Sequence, residues 1–481
     1  MTRSQLFLLL LILALGLFLR TYKIVDRMDF GHDADLYSWI VKDIVVNHHF
    51  RLIGQLTSAP GIYIGPLFYY FLVPFFILTK MDPVGATIPA VLLGLATIIS
   101  YYWVFSKIFN EKVGLLGALL YAILPATVSL DRWIVPTITT PLWSIWYFYA
   151  IIMVSRGRFQ FFWLLGLSFG LIWHIHIALI PVLLTLPFAI FFSKKLPDLK
   201  NIAVFLIFLF ATSAPLILFE FKHNFSQTFS LINNFGLQQE DGPTGFYRFQ
   251  VILGMLNKNV QQLLFIPFTA AILLSGILLI KTKLIALRET MLMGIWIIGP
   301  FLFFYFSSSP LSEYYFSNTN VVFLVIASLL IFALYKSSKK GLFVSLAILF
   351  FILIRSFYLF LNQDYYAKGY PEKKSAVDYM VNDAKQKNFP CFSINYITSP
   401  GENVGFRYFL FLKNAHIAVA GRGSPVYNIV IPDEYALNEV KVKFGHIGII
   451  PLTQIPSQDL MNDACSGQNT NLTDPMLGYV E

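Results

Sequence analysis

The residues whose types and spacing could do chemistry gather near the N-terminus, in Asp29-Phe30-Gly31-His32-Asp33-Ala34-Asp35-Leu36-Tyr37. Gly31 ends a turn, Asp33 stands where a helix should start, and Leu36 to Val41 continue it. Two readings are open. Asp33 could cap the helix while Asp35 favours its positive end. Alternatively the carboxylates do work, because the helix puts Asp35, Trp39 and Lys42 on one face at i, i+4 and i+7. A carboxylate, an aromatic platform and a cation would then share a line. The chain continues through Arg51, Gly54, Ser58-Ala59-Pro60-Gly61 and Tyr63 before its next apolar run, and connections this long are usually functional. A second candidate, His174-x-His176, resembles a metal pair, but residues two apart do not share a helix face. Beside Trp173 it reads first as a water-facing helix end, with substrate contact as the alternative.

The elements that must position these residues are membrane spans. Of 481 residues 57% are hydrophobic, 17% aromatic and 13% charged, whereas about 25% of a soluble domain is charged. The net charge of +9 does not point to nucleic acid, because the Lys and Arg of the first 361 residues mostly cluster between apolar runs. The run Leu6 to Leu19 meets Arg20-Thr21-Tyr22-Lys23 instead of a small-x-small cleavage site and reads as a retained anchor. Stretches of about 20 apolar residues, the crossing length, lie near 5–22, 84–105, 113–130, 137–154, 159–175, 177–192, 202–221, 259–280, 290–308, 316–335 and 341–361.

One more run, Gly65 to Thr79, decides the parity. If it spans, Lys107/Lys112, Arg156/Arg158, Lys194/Lys195/Lys200, Lys281/Lys283/Arg288 and Lys336/Lys339/Lys340 all fall outside the cell. If it does not, all fall inside with Arg3, as the positive-inside rule requires. The run therefore reads as an interfacial helix, starting at Pro66 and broken at Pro74, within a first outer loop of about 23–83. About eleven spans remain, N-terminus in and C-terminus out. The outer face then gathers the loop 23–64, Ser129-Leu130-Asp131-Arg132-Trp133, the Trp173–His176 turn, 222–258, Ser307 to Tyr315 and everything after 361.

From Asn362 onward no stretch is long enough to span. Ala376, Val377, Met380, Val381 and Ala384 share a helical face within Ser375 to Lys387, and strand-like runs follow at Cys391 to Ile397, Tyr427 to Ile431 and His446 to Leu452. Residues 362–481 thus read as a small extracytoplasmic α/β domain after a membrane domain, 1–361. Its cysteines, Cys391 and Cys465, could pair or stay reduced. Ser399-Pro400-Gly401-Glu402-Asn403 and Gly421-Arg422-Gly423-Ser424-Pro425 are loops that could face the membrane site.

The first span, the early acidic motif, the Gly65-Pro66-Leu67-Phe68-Tyr69-Tyr70 segment, the span ending at Pro125 and the Ser129-Leu130-Asp131-Arg132 turn together resemble the GT-C membrane glycosyltransferases. Among them, the chain is most similar to bacterial relatives of protein O-mannosyltransferase and of the aminoarabinose transferase that modifies lipid A. The resemblance covers roughly residues 1–361. Most relatives carry Asp-Glu at the acidic site where this chain has Asp33-Ala34-Asp35, which leaves Asp33 in place and the role of Asp35 open. The resemblance implies transfer of a sugar, with inversion, from a polyprenyl-phosphate donor to an extracytoplasmic lipid, glycan or protein acceptor, at a multi-pass site in the cell membrane.

In that reaction Asp33 would act as general base, with Asp131 or Asp35 as a second acid orienting sugar or acceptor. Lys42, Arg51, Arg132 or Arg407 would hold the leaving phosphate. The resemblance places the loop of Glu313 and Tyr314 near the lipid site; Tyr63, His174 and His176 are further substrate-binding candidates from the residues themselves. It implies no required cofactor; Asp33, Asp35 and Asp131 could offer oxygen ligands to a divalent metal, but the nearer relatives need none. Arg355, near the outer end of the last span, reads as a snorkelling cation. A transporter or flippase would instead show charges or helix breakers mid-span in two corresponding halves, and no internal repeat is visible. A non-catalytic scaffold would make Asp33 replaceable.

The topology is tested by single cysteines. A membrane-impermeant thiol reagent is expected to label Lys80→Cys and spare Lys107→Cys in intact cells; the reverse pattern overturns the parity.

Overall fold

A computed structural model describes residues 2–57, 60–236, 243–282, 284–307, 311–363, 365, 367–421, 423–450, 452 and 455–471. Ser58, Ala59, Lys283, Arg422, and the parts 237–242 and 308–310 of the expected outer loops lie outside the described residues. The protein is a polytopic α-helical membrane protein with a small C-terminal α/β domain. Among the described residues seven helices are long and apolar enough to cross a membrane: Arg3–Thr21, Pro83–Ile108, Pro136–Ser155, Leu199–Lys222, Leu287–Phe306, Glu313–Ser337 and Lys339–Leu361. Two bent helix pairs are apolar enough when taken together, Glu111–Ile123 with Pro125–Arg132 at 64° and Gly245–Leu264 with Phe268–Gly276 at 73°.

These bends fall within the expected spans 113–130 and 259–280. Pro125 has no N–H to donate back to Tyr121, and Leu124 before it is extended (φ −66°, ψ 130°). In the second pair, Phe265 takes a left-handed conformation (φ +61°) two residues before Pro267. The runs Phe159–Ile175 and Ile177–Ser193 are shorter apolar helices, so the eleven expected spans coincide with seven long helices, two bent pairs and two shorter helices. Leu67–Leu78, at 12 residues, is about 18 Å long against a hydrocarbon core of about 30 Å, too short to cross. It runs through Pro74 rather than breaking there.

The chain forms two compact units. The first comprises Met1–Tyr22, Arg51–Phe68 and Ala90–Asn362. Its innermost helices are Pro136–Ser155 and Asn320–Ser337, whereas Leu199–Lys222 and Lys339–Leu361 turn Phe210, Phe221, Phe343 and Phe350 outward. Buried indole N–H groups donate to backbone oxygens, Trp143 to Ser168 at 2.8 Å and Trp296 to Asn318 at 3.1 Å. No water inside a bilayer could replace those acceptors.

The second unit comprises Lys23–Phe50, Tyr69–Pro89 and Gln363–Glu481. It holds a sheet of order β1-β2-β4-β3, with β1 Ser393–Thr398, β2 Val426–Ile431, β3 Val442–Phe444 and β4 Ile447–Ile450. β1 and β2 run parallel with Ile394 opposite Tyr427; the other pairs are antiparallel. The crossover between β1 and β2 carries the short helix Phe406–Leu412. The helix Tyr370–Gln386 buries the expected face, Ala376, Val377, Met380, Val381 and Ala384. β3 and the helices Phe406–Leu412 and Gln458–Cys465 have no counterpart in the sequence reading; each is at most eight residues long, within reach of no reliable periodicity.

Cys391 and Cys465 are disulfide-bonded, closing a sequence separation of 74. A loop of that length is worth about 4 kcal/mol in the chain-entropy account. Cys391→Ser is therefore expected to lower the melting temperature of the purified protein in detergent, and the wild-type chain to gain two reactive thiols only after reduction; free thiols before reduction contradict the pairing.

Candidate active site

Within the second unit, the acidic motif starts the helix His32–Val46. Gly31 is its N-cap and brings no side-chain cap, so Asp33 sits in the first helical turn and is not itself the cap. The first helical bond runs from the Asp35 N–H to the Gly31 carbonyl at 3.0 Å. Asp33 is partly exposed, whereas Asp35 is 3% exposed. The two carboxylates also act on different neighbours. Burial, and behind it Asp29 and Asp33, push the Tyr37 phenol far above its ordinary range. Asp35 instead bears on Tyr396 and Tyr408, phenols that burial already holds high.

The Asp35, Trp39 and Lys42 line exists but is packed on protein. Trp39 meets Tyr408 edge-on at 5.2 Å between ring centres, and the Lys42 ammonium lies 5.4 Å from the Phe411 ring centre. Arg407, on the same short helix, donates to the Thr470 carbonyl at 3.1 Å.

The first unit holds Asp131 in a different setting. Its Oδ2 accepts from Arg20 Nε at 2.8 Å and Nη2 at 2.6 Å, and its Oδ1 from the Tyr121 hydroxyl at 2.6 Å. The same guanidinium donates to the carbonyls of Gly16, Ala122 and Tyr121 at 3.2, 3.1 and 3.3 Å. The last two belong to the turn where Pro125 breaks the helix. A methyl on Gly94 would stand 2.5 Å from Arg20 Nε and 2.9 Å from Asp131 Oδ2, so only glycine admits the pair. Arg132 points elsewhere, donating to the Leu19 carbonyl at 3.3 Å and facing the Phe360 ring at 5.6 Å. Arg51 is buried. Arg355 lies over the Phe265 ring at 4.7 Å.

The two histidines are placed by backbone. His174 Nδ1 accepts from the Leu67 N–H at 3.3 Å while Nε2 faces the Thr212 carbonyl at 2.8 Å, which fixes a neutral ring with the proton on Nε2. Gly65 touches that ring and leaves no room for a side chain. His176 caps the next turn, its Nδ1 accepting from Ala178 at 3.1 Å, and turns Nε2 to the Tyr314 hydroxyl at 3.3 Å. Trp133 meets Tyr314 edge-on at 5.9 Å, so the Asp131 turn, the histidine turn and the 313–315 segment converge on one aromatic corner. Glu313 pairs with Lys258 at 2.6 Å, both more than half exposed. The Tyr63 N–H donates to Gln227 at 2.8 Å.

Sequence reasoning missed Arg20 and Tyr121 as partners of Asp131, and missed Lys373, whose ammonium binds the Phe30 carbonyl at 2.8 Å. Lys373 did leave a signal. A lysine in the first turn of a helix opposes the dipole and implies a partner outside the helix.

Residues 61–218 match the model of the dolichyl-phosphate-mannose-protein mannosyltransferase family. Comparison with curated proteins finds no match. Among solved structures the chain is similar to ArnT from Cupriavidus metallidurans bound to undecaprenyl phosphate, at 12% identity over 92% of this chain and 97% of that one, TM-score 0.60. The apo state of that protein matches at 13% identity with the same TM-score, 0.60, and the same coverage, 92% and 97%. The Archaeoglobus fulgidus oligosaccharyltransferase in the apo form matches at 13% identity over 89% of this chain and 70% of that one, TM-score 0.52. The fold is therefore that of the GT-C glycosyltransferases.

The Arg20–Asp131 pair generates a stability prediction. Asp131→Asn leaves a buried guanidinium without its counter-charge, at a cost of about 3–5 kcal/mol. The variant is expected to melt well below wild type in detergent, and Arg20→Met with Asp131→Leu together to cost less than the sum of the single changes. Wild-type melting of Asp131→Asn would remove the pair from the framework.

Proposed function

We propose that this chain is a glycosyltransferase that moves a sugar from a polyprenyl-phosphate donor to an extracytoplasmic acceptor with inversion, Asp33 serving as general base. The observation that carries the reading is the accessibility of Asp33. Asp29 is exposed but precedes the helix, whereas Asp33 is partly exposed in the first turn of a helix that belongs to no span, and Asp35 and Asp131 are buried. The fold supports the reaction class, and ArnT, a protein of that fold, binds undecaprenyl phosphate.

In this reading the acceptor oxygen attacks the anomeric carbon on the face opposite the phosphate. Its proton passes to an Asp33 oxygen as the bond from carbon to phosphate oxygen breaks. The electron pair leaves on the lipid phosphate, whose charge needs fixed donors. Lys42 and Arg407, in the same unit as Asp33, are the candidates for them. No metal is needed, since the proton and the phosphate charge are both met by side chains. Asp35 and Asp131 act by holding structure.

Asp33→Asn keeps the shape and removes the base. It is expected to express and melt like wild type while losing roughly 10²- to 10⁴-fold in kcat for transfer from polyprenyl-phosphate sugar, with KM little changed. Retained turnover would sink the assignment. Mass analysis of envelope glycans and lipids with and without the protein identifies the sugar and acceptor to use.

A further inference from the structure

Lys373 lies in the first turn of the helix Tyr370–Gln386 and is 3% exposed. Its ammonium donates to the carbonyls of Phe30 at 2.8 Å and Val404 at 2.9 Å and lies 5.4 Å from the Phe406 ring centre. The same segment is held at neighbouring points. The Tyr370 N–H donates to the Met28 carbonyl at 2.9 Å, and the Phe30 ring packs 4.8 Å from that of Phe409. Gly405, at φ +92°, lets the backbone pass where a methyl would stand 2.8 Å from Phe30 Cδ1. Lys374, next in the helix, turns away to Asp82 at 2.6 Å. What Lys373 grips is the residue before Gly31, the N-cap of the helix that presents Asp33.

We propose that Lys373 is the positioning residue of the Asp33 helix start: its ammonium, clamped between two carbonyls, sets where Asp33 stands. This rests on Asp33 being the general base. A neutral amine still has two N–H groups, one for each carbonyl, so the clamp does not depend on the charge. Burial brings Lys373 down to about 8, against the opposing pull of Asp29, Asp35 and Glu402 and with the push of Lys368. The phenols that Asp35 reaches, Tyr396 and Tyr408, and Tyr37 beside Asp29 and Asp33, are all held high and stay neutral there. The lysine is therefore the group in this cluster placed to change charge in mildly alkaline solution.

The folded lysine loses its proton near 8 and the unfolded one near 10.5, so between these values the unfolded chain binds more protons and this group raises stability with pH. The same sign holds for a local opening that brings Lys373 into water, so the turn is expected to open less often as pH rises through about 8.

The test uses the full-length protein in detergent. Lys373→Met keeps the apolar stem and is expected to lower kcat roughly 10²-fold and leave KM nearly unchanged. Lys373→Arg, which keeps donors for the two carbonyls, is expected to retain more activity than Lys373→Met. Amide hydrogen exchange over residues 28–36 supplies a readout without activity, with protection lost in Lys373→Met and largely kept in Lys373→Arg. Unchanged kcat and unchanged protection in Lys373→Met overturn the proposal. If Lys373→Met fails to fold, the exchange of residues 28–36 in Lys373→Arg decides, wild-type protection supporting the clamp and full loss of it overturning it. Loss of protection in a protein that transfers no sugar keeps the clamp and rejects the general-base reading.

Discussion

The membrane unit depends on one guanidinium. A proline at the middle of an apolar span removes a donor and bends the helix, and inside a bilayer the carbonyls so freed cannot turn to water. Pro125 does this to the helix beginning at Glu111, and Arg20 answers it by donating to Tyr121 and Ala122 while keeping Asp131 as counter-charge. Asp131 is saturated in turn by the Tyr121 hydroxyl, and Gly94 gives the pair its space. The Tyr121 carbonyl also accepts from the Thr127 hydroxyl at 2.6 Å, so the Ala122 carbonyl and the Asp131 charge are what depend on Arg20. The first span, the broken span and the span of Gly94 thus meet at one guanidinium.

The second unit solves a similar problem with a lysine. A turn of three residues, Met28 to Phe30, must stand still without secondary structure of its own, and a buried ammonium on the Phe30 carbonyl does what a strand partner would do elsewhere. Arginine suits the first task and lysine the second for a geometric reason. The broken helix offers several acceptors in a fan that a planar fork can reach, whereas the turn and Val404 offer a pair that a point charge can bridge.

Much of this architecture was legible. Hydropathy placed the spans, and the single face of Ala376 to Ala384 placed the helix after the last span, because both signals are periodic over many residues. What periodicity could not see were the places where tertiary partners decide. Pro74 lies inside a helix although proline usually ends one, while Pro125 and Phe265 interrupt runs that hydropathy reads as continuous. The disulfide was open because spacing says nothing of proximity. The units themselves are discontinuous, since 23–50 and 69–89 belong with the C-terminal domain, and composition marks only the step at Leu361.

The site was legible in type but not in role. Asp33, Asp35 and Asp131 carry the same carboxyl group, and a sequence can rank them only by position. A general base must reach solvent and substrate and must change charge without loss of fold; a structural carboxylate must do neither. Asp131 is committed on both oxygens to Arg20 and Tyr121, so taking a proton would strand a buried guanidinium. Asp35 is enclosed among phenols, where a change of charge has no water to answer it. Asp33, two residues earlier in the same turn, is partly exposed, so its place on the helix and not its residue type is what separates it from Asp35.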